Sequence, residues 1–163
     1  MTKIIMDADS LIKLTKSHFK EILVENYEIV IPQEVKIETV DQAREYPDSQ
    51  IIEQNINQEK IKVLKVELTK ETEVEIKHFG LLNGEMGVYA LTKSIEYDFV
   101  STDDRKVFTL LSSLGCKVLP PAYIIVYLYK KAKIKRDDAI TALNRLKEYV
   151  STEQYDLALS EVG

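Results

Sequence analysis

The residues of this sequence best placed for chemistry are acidic: Asp7, Glu38, Glu85 and the adjacent pair Asp103 and Asp104. Asp7 ends the run Lys3-Ile4-Ile5-Met6, and the aspartate pair ends Asp98-Phe99-Val100-Ser101-Thr102. Glu85 follows Asn83-Gly84 and opens an apolar helical stretch. Glu38 lies one to two turns into the helix expected after Glu28-Ile29-Val30-Ile31-Pro32. In open α/β sheets, ligands bind beyond the carboxyl ends of the strands. A parallel sheet would therefore bring these carboxylates to one rim. Converging carboxylates with no built-in counter-charge call for a divalent cation, most naturally Mg²⁺ or Mn²⁺.

The elements that must position them follow from hydrophobic periodicity. Strands are expected over residues 3–6, 28–31, 61–66, through Val100, and over 116–119. Residues 61–66 alternate with period two, which marks a sheet edge with one wet face. Helices are expected from Leu11 with Ser10 as cap, over 18–23, from Gln33 to about Arg44, around Ile51–Ile56, and from Thr69 to about Lys77. Further helices are expected over 85–95, over 104–114 stopped by Gly115, after Pro120-Pro121, and over 137–149. Ser151 and Gln154 form a capping-box pattern for a last short helix. Strands alternating with helices indicate βαβ units and a parallel sheet. With no repeat, low-complexity tract or linker, residues 1–163 read as a single α/β domain.

Composition narrows the partners. The 163 residues carry a net charge of −5, which argues against a general nucleic-acid binder. One local run opposes the average: Lys130, Lys131, Lys133, Lys135 and Arg136 are candidates for phosphate contact. The plainer reading, a solvated helix end and basic loop, stands slightly ahead of it. The only cysteine, Cys116, excludes an intrachain disulfide and reads as a core thiol. Asp7 interrupts the N-terminal apolar run, so no signal peptide is expected. The longest apolar stretch, 122–129, is too short to span a membrane. The expected compartment is the cytoplasm.

Each candidate has a structural competitor. Glu85 and Asp104 sit at helix starts, where any acid complements the helix dipole. Glu34 competes with Glu38 from one turn earlier on the same face. Asp103 and Asp104 point in different directions, so one is expected to be a direct ligand and the other to lie outside it. Asp9 either widens the acidic cluster or caps the first helix. Thr102 either holds a bound water or fills a strand position. Arg105 either orients a carboxylate or phosphate or is a surface arginine. Tyr123, Tyr127 and Tyr129 either stack on bases or serve core or dimer packing. His18 and His78 lack ligand spacing to each other.

Four segments together resemble the motifs of PIN-domain nucleases. Ile5-Met6-Asp7-Ala8-Asp9-Ser10-Leu11-Ile12 resembles the opening strand and first aspartate. Pro32-Gln33-Glu34-Val35-Lys36-Ile37-Glu38 is similar to the second motif, whose metal-binding glutamate follows the valine by three residues. Gly84-Glu85 with Val88-Tyr89-Ala90-Leu91 looks like the third, and Ser101-Thr102-Asp103-Asp104-Arg105 the fourth. The double aspartate with arginine and the two-helix tail resemble a prokaryotic subgroup close to VapC-type toxins. Asp9, Gly87 and Pro120-Pro121 depart from the usual pattern.

The resemblance implies a three-layer α/β/α PIN-like domain with a short parallel sheet and a helical C-terminal tail. It implies a metal-dependent endoribonuclease in which Asp7, Glu38, Glu85 and Asp104 are catalytic. These residues and Asp103 would hold one or two Mg²⁺ or Mn²⁺ ions, and a metal-activated water would cleave the phosphodiester. Asp9, Thr102 and Arg105 would lie in the outer shell or meet substrate. The implied partners are single-stranded or structured RNA, an antitoxin protein and a second copy of the chain. The alternatives are a non-catalytic PIN-like module binding RNA or protein, and a metal-dependent phosphatase.

Overall fold

The computed structural model describes residues 1–163, the side chain of Lys20 excepted. Strands β1 (Lys3–Met6), β2 (Glu28–Pro32), β3 (Ile61–Leu64), β4 (Phe99–Ser101) and β5 (Val118–Leu119) form one sheet in the order β3-β2-β1-β4-β5. Every pairing is parallel, with Ile5 beside Val30 on one side and Val100 on the other. Parallel strands need crossovers, and helices supply them on both faces of the sheet. The three-layer α/β/α arrangement expected from the sequence is the observed one.

The chain order reverses between β1 and β4. That is the switch point at which open α/β sheets form their crevice. β1 is central and apolar on both faces, with Ile4, Ile5 and Met6 fully buried. Its burial fixes where the next residue, Asp7, must emerge. Edge strand β3 alternates in burial from Ile61 to Val63, as its period-two pattern predicts.

The helices are α1 (Ala8–Lys16), α2 (Lys20–Asn26), α3 (Gln33–Lys36), α4 (Pro47–Asn57), α5 (Lys70–Phe79), α6 (Gly84–Ser94), α7 (Arg105–Ser113), α8 (Pro121–Lys130), α9 (Arg136–Leu146) and α10 (Thr152–Val162). Two differences from expectation bear on the site. α1 starts at Ala8 because Asp7, rather than Ser10, is its N-cap. The helix expected over residues 33–44 is α3 followed by a π-helical turn, Ile37–Asp41, which carries Glu38. α8 is buried through Ala122, Ile124, Ile125, Val126 and Leu128. It packs with α9 and α10, the expected helical tail. Cys116 is only half-buried, at the margin of the core. Among the described residues no helix is long and apolar enough to cross a membrane.

Candidate active site

Asp7 continues β1 by one residue: its backbone N–H donates to the Ser101 carbonyl at 3.2 Å. Its side chain then caps α1, Oδ1 accepting from the Ser10 N–H at 2.8 Å. Oδ2 accepts from the Thr102 hydroxyl. The residue is only 8 % exposed. Burial pushes its carboxyl up from 3.8 to about 6; the Thr102 and Ser10 hydrogen bonds oppose the shift, and the Asp9 charge adds to it.

Thr102 joins the two strand ends. Fully buried, it donates to Asp7 and accepts from the Asp104 N–H at 3.1 Å. Asp104 caps α7, its Oδ1 accepting from the Val107 N–H at 3.0 Å. Each aspartate therefore satisfies orphan donors of a helix start while standing at the rim.

Glu38 and Glu85 meet at the start of α6. This terminus has no side-chain cap of its own, since Asn83 takes a positive φ of 49° and makes none. Glu38 supplies the missing acceptor from another element, Oε1 taking the Gly84 N–H at 2.7 Å. A Cβ at residue 84 would lie 2.8 Å from Glu38 Oε1, so only glycine admits this approach. Glu85 Oε1 accepts from the Leu82 N–H at 3.2 Å and lies 3.4 Å from Lys106 Nζ. The competing Glu34 lies beside Gly87, whose bare Cα lets α6 pack against Pro32. Glu34 does not line the cleft.

Asp7, Asp9, Glu38, Glu85 and Asp104 line one open cleft of about 290 Å³. Asp9 pairs with Lys13 at 2.8 Å across one helical turn. Glu38 Oε2, Glu85 Oε2, Asp104 Oδ2 and Asp9 Oδ1 have no protein partner among the described residues. No serine, threonine, cysteine, histidine or lysine lines the cleft.

The structure bears on three of the expectations. Asp103 turns away from the cleft: its Oδ2 accepts from Lys13 Nζ at 2.6 Å and its Oδ1 from Gln154 Nε2 at 2.7 Å. It joins α1 to α10 and does not line the cleft, unlike Asp7 and Asp104. Arg105 pairs with no carboxylate among the described residues and faces a separate groove. The acids are not without counter-charge, because Lys13 holds Asp9 and Asp103 while Lys106 reaches Glu85. Burial pushes the Lys13 ammonium down, but its bonds to Asp103 and Asp9 outweigh this and raise it. Only the Asp9–Lys13 spacing was legible in the sequence; the roles of Lys106 and Gln154 depend on contacts between distant elements.

The basic run lies elsewhere. α8 leaves the rim at Pro121 and descends about 15 Å over its length. Its lower end packs Tyr127 against Phe99, the first residue of β4, at 4.9 Å between rings. Lys131 sits over Tyr127, and Lys130 bonds Glu161. Lys130, Lys131, Lys133, Lys135 and Arg136 therefore gather at the amino end of the sheet, away from the cleft.

Residues 3–163 match a family model described as DUF3368, PIN domain. The chain belongs to this PIN-domain family. No curated protein matches the sequence. A PIN domain has a nuclease-like fold and typically uses divalent metal ions.

The chemistry of this cleft fits such an ion of the magnesium type. All its donors are hard oxygens, and four of them are unpartnered. Among the described residues no three carboxylates converge closely enough to cage an ion by themselves. Mg²⁺ keeps several waters and binds through one or two carboxylates, so an open, spaced set suits it, whereas Ca²⁺ takes six to eight oxygen ligands.

Proposed function

We propose that the chain is a metal-dependent endoribonuclease that hydrolyses RNA phosphodiesters with water as nucleophile. The carrying observation is the composition of the cleft. Five carboxylate residues line it, and no hydroxyl, thiol, imidazole or amine does. Nucleophilic catalysis by a hydroxyl, thiol or amine and histidine-based acid–base chemistry both lack their residues there.

Asp7, Glu38, Glu85 and Asp104 would hold one or two Mg²⁺ or Mn²⁺ ions. A bound divalent cation supplies Lewis-acid stabilisation and counter-charge for the phosphodiester. The protein's own part is positioning. Thr102 ties Asp7 to Asp104, the Gly84 N–H fixes Glu38, and the Leu82 N–H fixes Glu85. The unpartnered oxygens of Glu38, Glu85 and Asp104 are acceptors that can orient an attacking water. The cleft is open rather than closed, which suits a polymer better than a small phosphoester. A role as the toxin of a toxin–antitoxin pair, acting as a cytoplasmic homodimer, extends this reading. Growth arrest on expression, relieved by Asp7→Asn, would support that extension.

The test compares cleavage of single-stranded RNA with that of a small chromogenic phosphoester in Mn²⁺. RNA cleavage that disappears with EDTA and with Asp7→Asn is the expected result. Preference for the small ester makes the protein a phosphatase. RNA binding without cleavage makes it a binding module.

A further inference from the structure

A second concavity of about 680 Å³ opens on the far side of the loop that carries Asp104. Thr102, Asp103 and Arg105 form its wall toward the cleft, and Phe108 and Tyr123 face it from α7 and α8. Phe108 is 37 % exposed. Among the described residues neither the Arg105 guanidinium nor the Tyr123 hydroxyl has a hydrogen-bonding or ionic partner. The acid on the groove's inner wall is silenced, since Asp103 is held by Lys13 and Gln154. Gln154 is itself spent, its Oε1 accepting from the Ala122 N–H at 3.2 Å. What remains on offer is two aromatic rings beside Pro120 and Leu157, one free guanidinium and the rim groups Ser151 and Glu153.

We propose that this groove is a nucleobase subsite, in which Phe108 and Tyr123 stack on an unpaired base next to the phosphate held in the acidic cleft. The inference rests on the nuclease reading and adds the part of the substrate that the cleft cannot hold. Three features favour RNA over a protein segment. The groove adjoins the cleft across a single loop: Asp103 and Asp104 are neighbours about 3.8 Å apart at Cα, one lining each concavity. Its free charge is a guanidinium, which pairs with phosphate and stacks on bases. Its apolar surface includes planar rings, and every base presents a π-face to such rings whatever its identity. Ser151 and Glu153 add a donor and an acceptor for base edges, since a carboxylate accepts from an exocyclic amino group. The chain thereby binds single strands without using its distant basic run.

The test uses full-length protein carrying Asp7→Asn, so that binding is read without cleavage. The probe is a mixed-sequence single-stranded RNA oligonucleotide. Tyr123→Leu and Phe108→Leu keep apolar bulk and remove the rings; thermal melts establish that each variant is folded. Loss of one stacked ring is expected to weaken binding about 10-fold. With Asp7 restored, the same variants should raise KM for RNA while leaving hydrolysis of bis(4-nitrophenyl) phosphate unchanged, because that ester places no base in the groove. Unaltered RNA affinity and KM in both folded variants would overturn the subsite; a groove that serves a protein partner would give this result. Equal loss on RNA and on the small ester would also overturn it, as a structural effect on the cleft. If the parent cleaves neither substrate, the nuclease reading itself fails, whereas intact RNA cleavage with insensitive variants refutes the groove alone.

Discussion

Replacing Asp7 with asparagine should stabilise the metal-free protein above neutral pH and destabilise it in acid. A carboxyl moved from 3.8 to about 6 on folding corresponds to about 3 kcal/mol. The sign follows from the direction. Folding disfavours the charged form, so Asp7 costs nothing below pH 3.8, and its cost grows as pH rises and is complete above about 6. Asparagine removes that cost and still caps α1, since its carbonyl can accept from the Ser10 N–H. It cannot accept a bond from the Thr102 hydroxyl through its amide nitrogen, a loss of about 1 kcal/mol. The net gain at pH 8 is about 2 kcal/mol, or roughly 4–8 °C in Tm for a chain of this size. Below pH 4 only the loss remains, and the variant should melt a few degrees lower than the parent. Thermal melts in EDTA from pH 4 to 8 measure both. A difference that keeps one sign across that range refutes the assignment of a buried, destabilised carboxyl to Asp7.

Millimolar Mg²⁺ or Mn²⁺ should stabilise the parent relative to EDTA by about 2.7 kcal/mol at a hundred times Kd, raising its Tm, and should raise that of Asp7→Asn less; equal shifts in the two proteins would remove Asp7 from the metal site. Gly84→Ala should abolish RNA cleavage with little change in Tm, because the new Cβ displaces only the mobile end of Glu38. Gly87→Ala should instead cost about 1–3 kcal/mol in urea melts, because its Cβ would lie 2.7 Å from the rigid Pro32 ring. Lys13→Met should destabilise by about 2 kcal/mol by leaving half-buried Asp103 with the Gln154 amide as its one donor, against under about 1 kcal/mol for exposed Lys130→Met. Substituting Lys133, Lys135 and Arg136 together with glutamine should leave RNA affinity and its salt dependence unchanged; a weaker, flatter salt response would bring the amino end of the sheet into the RNA path.

The sequence alone determined the strands, the helices and their alternation, because hydrophobic period and capping are local properties. Period two marked β3 as an edge, Ser151 and Gln154 capped α10, and Gly115 ended α7 with a φ of 83°. It also determined that acids stand at strand ends and helix starts, which made Asp7, Glu85 and the Asp103–Asp104 pair legible, whereas Glu38 was legible only through the resemblance to the PIN motifs. Which acids share a cleft was decided by tertiary structure. Asp103 and Asp104 are equivalent in sequence, but pairing of β4 with β1 puts Thr102 against Asp7 and leaves Asp103 to Lys13 and Gln154, donors from α1 and α10. Glu34 and Glu38 share a helix face in sequence; the π-helical turn and the open end of α6 choose Glu38. The basic run is conspicuous in sequence and lies at the wrong end of the sheet, because a helix leaving the rim carries its C-terminus about 1.5 Å farther from it with every residue.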